Sequence, residues 1–381
     1  MQRGPWGGSE AEAAGGRDVG RLDTPAVVVD RGIAAANLER MAARVSARRQ
    51  ALWPHVKTHK SLAWAQRQLD LGAGGLMVAK LEEAVPLARH GVPAVYVGYP
   101  LVGPGPARRL TQLVAAGLQV RVAVDSLAGV ACLADVARAT SAPLAALVEV
   151  DTGFQRCGVA SVDDAVQLAE ALAAAGVRYQ GITCFGGHIT WRLSDDERRA
   201  AVVAQNLLLA QWSEDLRARG WAPEVVSVGG TVPTGHLDLL SSATELRPGT
   251  YIYNDVATVL AGAAQWADCA AWVWTTVVST PTADRAVVDA GSKTLSSDGP
   301  VAGSFGHVRE RPDVFVSSLS EEHGVIRARD GGATGLEVGD RLSIVPNHVC
   351  TMINLHDNVH LVEGRRVVGS LAVDLRGMIH S

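Results

Sequence analysis

The 381-residue sequence predicts an α/β fold, a (β/α)8 TIM barrel followed by a C-terminal all-β domain. Three observations carry that expectation. Short β-branched runs alternate with stretches of helical length through the first two thirds of the chain, the grammar of parallel strands joined by crossover helices. After about residue 262 the grammar changes to short β-rich runs broken by Gly, Asp and Pro turns, with no long helix between them. The residues richest in chemistry fall where the predicted strands of the first part end, and barrels collect their functional groups at those ends.

In chain order, residues 1–21 are rich in Gly, Ala and charge and are expected to form a disordered tail. They lack the continuous apolar run of a signal peptide. Ala26–Asp30 reads as a strand that pairs into the β domain or bridges the two domains. Residues 32–49 read as a helix, because Ile33, Leu38, Met41 and Val45 form an apolar stripe. Eight barrel strands are expected near 53–57, 76–79, 94–98, 118–124, 144–150, 179–184, 224–228 and 244–247, with helices such as 81–90, 107–116, 127–140, 162–175 and 195–219 between them. The helix ahead of the first strand can close the outer ring in place of one after the eighth. A doubly wound open sheet is the rival arrangement for the same alternation. The expected domains are a barrel over 22–262 and a β domain over 263–381, with β runs near 272–279, 285–289, 314–318, 324–327, 341–346, 359–362 and 365–368.

Composition narrows the partners. The chain is 48% hydrophobic and 19% charged with a formal net charge of -4, which gives no electrostatic reason to expect nucleic acid or an anionic membrane. No run is long enough to span a bilayer. A small molecule is the expected partner. The five cysteines are odd in number and widely spaced in a chain too large to need disulfide staples, so a reducing cytoplasm is expected.

The first strand leads into Trp53-Pro54-His55-Val56-Lys57-Thr58-His59-Lys60. Strand alternation puts Trp53, His55 and Lys57 on one row. A partly desolvated lysine at a strand tip can form a Schiff base with an aldehyde, although a lysine there can also be an ordinary surface residue. Strand five runs into Asp151-Thr152-Gly153-Phe154-Gln155-Arg156, a turn that presents Arg156, and strand six ends in Cys184-Phe185-Gly186-Gly187-His188. Strand seven ends in Gly229-Gly230-Thr231, whose backbone N–H groups and hydroxyl can hold a phosphate. Strand eight ends in Arg247-Pro248-Gly249-Thr250-Tyr251-Ile252-Tyr253. A phosphate turn, an amine and an arginine at one mouth point to pyridoxal 5′-phosphate. Arg247 and Arg156 can each partner the pyridine nitrogen, grip a carboxylate, or serve only in salt bridges. In the β domain, His348 and Cys350 at i and i+2 of an extended segment can share one metal ion, zinc above others, with open positions left over. Asn354-Leu355-His356-Asp357 can supply outer partners to it.

These motifs in this order, namely residues 54–60, 151–153 with 156–159, 229–231, 246–249 and 346–350 with 354–357, resemble the D-threonine aldolase and eukaryotic-type D-serine dehydratase family. Its members are fold-type III pyridoxal-phosphate enzymes related in fold to alanine racemase. The resemblance runs from about residue 22 to the C-terminus. It implies that Lys57 carries the cofactor, that the Gly229–Gly230–Thr231 turn binds its phosphate, and that His348 and Cys350 hold a divalent metal. His55, Arg156, Arg247 and Tyr253 complete the expected cofactor-binding set. A homodimer is implied, with sites between barrel and β domain. The implied activity is that of a lyase on a D-β-hydroxy-α-amino acid. A His-x-Cys pair resembles the zinc-dependent dehydratases, acting on substrates of the D-serine, D-threonine or D-3-hydroxyaspartate type, and His-x-Asp the manganese or magnesium aldolases. Dehydration to a 2-oxo acid and ammonia is therefore expected, with Lys57 removing the Cα proton. The alternative is retro-aldol cleavage to glycine and an aldehyde, with His188 or His59 as the base. An amino-acid racemase and a non-catalytic pyridoxal-phosphate carrier are further alternatives on this fold. Trp53 departs from the family, many of whose members have arginine there.

Overall fold

The computed structural model describes residues 17–381, which fall into two compact units, each discontinuous in sequence. Residues 1–16 of the expected tail lie outside the described residues, and its remainder is ordered, with Asp18 bridging Arg366 and Val19–Arg21 forming a 3-10 turn. One takes residues 40–57, 64–249 and 377–381, and the other takes residues up to Glu39, Thr58–Ala63 and Thr250–Arg376. In chain order the first elements are β1 (Ala26–Asp30), α1 (Arg31–Ser46), β2 (Ala51–Leu52), α2 (Leu62–Asp70), β3 (Leu76–Val78), α3 (Leu81–Arg89), β4 (Ala94–Val97) and α4 (Pro104–Ala115). They continue with β5 (Gln119–Val124), α5 (Leu127–Ala139), β6 (Ala145–Glu149), α6 (Val162–Ala174), β7 (Arg178–Phe185), α7 (Asp195–Ala218), β8 (Val225–Gly229), α8 (Thr231–Gly235) and β9 (Glu245–Arg247).

Strands β2 to β9 form an eight-stranded parallel sheet in the order β2-β9-β8-β7-β6-β5-β4-β3. The two ends of that order meet. His55, three residues past β2, bridges Met77 of β3 in parallel, with Val56 N–H donating to Met77 O at 3.0 Å and Met77 N–H to Pro54 O at 2.9 Å. The sheet is thus a closed barrel, and the open doubly wound alternative is set aside. The first strand is shorter than the sequence pattern predicts. Pro54 has no N–H for the ladder, regular pairing stops at Leu52, and Lys57 sits in the turn over residues 56–59 rather than on a strand. The C-terminal end of α1 lies against the β8–β9 segment, where Arg44 Nη2 donates to Gly235 O at 2.9 Å and Gln50 Nε2 to Leu240 O at 2.9 Å. The helix α2, missing from the expected elements, buries Trp64, Ala65 and Gln68.

Strands β3 and β4 are buried along their whole length, as parallel strands covered on both faces must be. Inside the barrel, Met77, Tyr96, Ala123 and Leu147 cluster, with Trp53 and Val225 packed on them. The Trp53 ring occupies space that Gly74 and Gly75 leave open, since a Cβ on Gly75 would come within 2.5 Å of it.

A charged layer shares this interior. Arg121 Nη2 reaches both oxygens of Glu245 at 2.6 Å, and both side chains are almost fully buried. The Ser227 hydroxyl donates to Glu245, Arg247 Nη1 donates to Ser227 Oγ, and Arg247 Nη2 donates to Cys184 O at 2.9 Å. The Arg121 guanidinium also lies 4.3 Å from the centre of the Trp53 ring and 4.9 Å from that of Tyr96.

The second unit continues with α9 (Val256–Leu260), β10 (Ala271–Thr282), β11 (Arg285–Val288), α10 (Ser292–Leu295), β12 (Gly306–Val308), β13 (Val314–Leu319), β14 (Gly324–Ala328), β15 (Arg341–Pro346), α11 (Val349–Ile353), β16 (Asn358–Glu363) and β17 (Arg366–Ala372). Its nine-stranded sheet follows the path β13-β14-β11-β10-β1-β16-β17, with β15 pairing β10 and β12. β1 is an inner strand, antiparallel to β10 and parallel to β16, so Ala26–Asp30 belongs to the β-rich unit. β12 is the one strand here that the sequence pattern does not announce.

Removing one member of a buried ion pair leaves the other charge uncompensated, at a cost of about 3–5 kcal/mol. Glu245→Ala is expected to lose that much in urea unfolding. The double change Arg121→Met with Glu245→Leu is expected to lose less than Glu245→Ala alone.

Candidate active site

In the barrel unit the expected site residues assemble around a side chain that sequence reasoning passed over. Phe185, the last residue of β7, lies with its ring centre 6.0 Å from Lys57 Nζ and 4.7 Å from the Arg156 guanidinium, and packs edge-on against Phe154 at 5.4 Å. Gly187 and Gly230 approach the same ring. A Cβ on Gly187 would meet Phe185 at 2.6 Å, and one on Gly230 would lie 3.6 Å away. Lys57 N–H donates to His55 Nδ1 at 3.3 Å, so the buried imidazole steadies the turn that carries the lysine. Among the described residues no carboxylate pairs with the Lys57 amine; its recorded partner is the Phe185 face.

Arg156 reaches this point because the segment after β6 doubles back, with Val150 bridging Val159. Asp151 fixes the turn by accepting from Gln155 N–H at 3.0 Å and Gly153 N–H at 2.9 Å, and those bonds hold its carboxyl below the usual range. Glu149 sits 4.0 Å from Arg156; burial pushes its carboxyl up, against the pull of Arg247 and Arg156. His188 lies against Gly153, and its Nδ1 is buried without a hydrogen-bond partner, as are Thr152 Oγ1 and Arg247 Nε. Arg247 is not free at the mouth, since both its Nη groups are engaged by Ser227 and Cys184. Gly230 has φ +110°, where a side chain would be strained, and the Thr231 hydroxyl accepts from Gly249 N–H at 3.3 Å.

In the β-rich unit, His348 stands at the N-cap of α11 and Cys350 is its second residue, so the two are not on one extended segment as the sequence pattern suggests. Cys350 is buried, with Sγ 3.1 Å from Thr58 Oγ1 and 3.8 Å from Thr250 Oγ1. His348 Nδ1 lies 2.9 Å from Asp298 Oδ2. Asp255, fully buried, accepts from Val349 N–H at 3.1 Å and so fixes the peptide between the two; burial raises its carboxyl, against the pull of His348. Crowding by protein would depress the His348 imidazolium, but the bond to Cys350 and the charges of Cys350, Asp255 and Asp298 lift it to about 10. Among the described residues no three His, Cys, Asp or Glu side chains converge on one point, so His348 and Cys350 are a two-donor set. His59 and Tyr253 also belong to this unit. Both are almost fully buried; His59 Nδ1 accepts from Ser61 N–H at 3.1 Å, and the Tyr253 carbonyl accepts from Ala270 N–H at 2.7 Å. Of the residues that sequence reading missed, Thr58 and Phe185 lay inside quoted motifs without being singled out, and Asp255 and Asp298 carry no local signal.

Residues 29–256 match the family "Alanine racemase, N-terminal domain" and residues 270–362 the family "Putative serine dehydratase domain". The D-threonine aldolase of Arthrobacter sp. is 33% identical over 371 residues, covering 95% of each chain. This chain belongs to the D-threonine aldolase and D-serine dehydratase family. The D-threo-3-hydroxyaspartate dehydratase of Delftia sp. (strain HT23) is 32% identical over 349 residues, covering 86% of this chain and 91% of that one. The crystal structure of D-threonine aldolase from Filomicrobium marinum superposes with a TM-score of 0.87 at 32% identity, covering 96% of this chain and 98% of that one. The Delftia dehydratase structure gives 0.86 at 28% identity, covering 96% and 99%. Relatives in this family are lyases, and the chain is an enzyme of that class.

The raised His348 value has a defined pH consequence. A histidine whose folded pKa exceeds its ordinary 6.5 stabilises the fold below that value and loses the contribution as pH climbs through about 10. In metal-free protein the His348 ring protons, followed by NMR, are expected to titrate near 10, and Cys350→Ser should bring the midpoint down toward 6.5.

Proposed function

We propose that the chain is a pyridoxal-phosphate- and divalent-metal-dependent lyase that dehydrates D-β-hydroxy-α-amino acids to a 2-oxo acid and ammonia. The observation that carries this reading is the His348–Cys350 pair at the start of α11, two donors beside each other where no group of three His, Cys, Asp or Glu converges among the described residues. A nitrogen and a thiolate with open positions suit zinc acting as a Lewis acid on a leaving hydroxyl. The Delftia relative is itself a dehydratase, and a solved D-threo-3-hydroxyaspartate dehydratase is a cysteine-to-alanine mutant in the metal-free form.

The residues of the barrel unit fit the organic cofactor. Lys57 offers an amine with no acidic partner, Gly230 allows close backbone approach, and the orphaned Thr152 Oγ1, His188 Nδ1 and Arg247 Nε are buried polar atoms that a polar ligand would meet. When bound, pyridoxal phosphate supplies the electron sink for carbanion chemistry at Cα. Lys57 holds it and moves the Cα proton. The Gly229–Gly230–Thr231 turn takes the phosphate, aided by the first N–H groups of α8, which have no intrahelical acceptor. His55 and Phe185 set where the Lys57 amine can go, and Arg156, more than half exposed, grips the substrate carboxylate. Arg247, pinned by Ser227, offers Nε as a fixed cationic neighbour to the cofactor ring, and Tyr253 completes the proposed cofactor-binding set. A homodimer accompanies this reading.

One observation favours a second reaction. His188, with its unsatisfied Nδ1, is placed to take a proton from a β-hydroxyl, and His59 is the other candidate; that step would break Cα–Cβ as in the Arthrobacter and Filomicrobium aldolases.

Incubating the protein, loaded with pyridoxal phosphate and zinc, with D-threonine separates the two. The expected products are 2-oxobutanoate and ammonia; glycine with acetaldehyde would establish cleavage instead. Lys57→Ala is expected to lose both the visible absorbance of bound cofactor and activity, whereas Cys350→Ala keeps the absorbance and loses activity.

A further inference from the structure

Asp298 follows α10 in the β-rich unit, fifty residues before the His348–Cys350 pair. Its carboxylate is bound from two sides. Oδ2 lies 2.9 Å from His348 Nδ1, and the Thr351 hydroxyl donates to the same oxygen at 2.8 Å. The loop around it is anchored as well. Asp298 N–H donates to Ser296 Oγ at 3.3 Å, Thr351 Oγ1 lies 3.2 Å from that hydroxyl, and Asn347 Nδ2 donates to Gly299 O at 3.4 Å. Residues 296–299 are therefore stitched to 347–351, the segment that carries both metal donors.

Neutral imidazole has one N–H and one lone pair, and whichever nitrogen donates a hydrogen bond leaves the other for a metal. With Nδ1–H directed at Asp298, the lone pair is on Nε2. Cys350 acts on the charge of the same imidazole, so Nε2 is the nitrogen left for a cation that the two residues would share. A carboxylate behind a ligating histidine fixes its tautomer and ring orientation and makes it more basic.

Resting on the proposed metal role of His348 and Cys350, we infer that Asp298 is the positioning residue of this metal centre: it orients His348 and secures the Nε2 lone pair for the ion without ligating it. Thr351 in turn holds Asp298. Asp298 is neither part of the His-x-Cys motif nor close to it in sequence, and its geometry with His348 is what assigns the role.

The test is zinc affinity, measured on protein loaded with pyridoxal phosphate by competition with a chromophoric chelator. Asp298→Ala is expected to weaken zinc binding roughly 10–100-fold, with the visible cofactor absorbance unchanged. Asp298→Asn, which keeps an acceptor oxygen but not the charge, should lose less. Zinc affinity in Asp298→Ala equal to that of the unchanged protein would overturn the inference. So would a loss as complete as that of Cys350→Ala, which would make Asp298 a direct ligand. If the unchanged protein takes up no zinc, the metal reading itself fails and the inference with it, an outcome seen before any variant is made.

Discussion

Two guanidinium groups inside a parallel barrel are each costly to bury unless their charge is met. Glu245 meets Arg121 directly and Arg247 through the Ser227 hydroxyl, so one carboxylate and one hydroxyl tie β5, β8 and β9 together across the interior. The strand tips inherit this arrangement. Arg247 is held so close beneath Gly229 that a Cβ there would come within 2.8 Å of Nη2. The glycine is thus needed by the arginine below it as well as by any ligand above it. Tyr96 joins the same layer, donating to Thr183 Oγ1 at 3.1 Å, and burial pushes its phenol up to about 12, so it stays a neutral donor.

The barrel was legible because its strands are buried on both faces and its helices are amphipathic, so composition alone marks the alternation. The family followed from motifs whose spacing is local. What failed was extrapolation of strand geometry past His55: the alternation argument placed Lys57 on a strand row, but the chain turns over residues 56–59 once His55 has bridged Met77. Phe185 was unreadable because an aromatic residue at a strand end looks like core until two cations are found over its ring. Thr58 and Cys350 are 292 positions apart, and no periodicity records such a contact.

Trp53 shows how a departure from a family pattern is absorbed. Its ring fills the space beside Gly74 and Gly75 and lies under the Arg121 guanidinium, so an arginine from β5 supplies positive charge beside the first strand. Exchanging a residue here means exchanging a neighbourhood: two glycines, a tryptophan and a buried ion pair depend on one another.

The place of β1 bears on how the chain is made. Val27, Val28 and Val29 lie inside a sheet whose flanking strands begin far downstream, at Ala271 and Asn358. At about 5–20 residues per second, the ribosome needs on the order of tens of seconds to deliver the first of those partners. During that interval a β-branched segment with both edges unpaired is exposed, the kind of sequence that pairs with other chains. A chain that ends before residue 271 has neither native partner for β1.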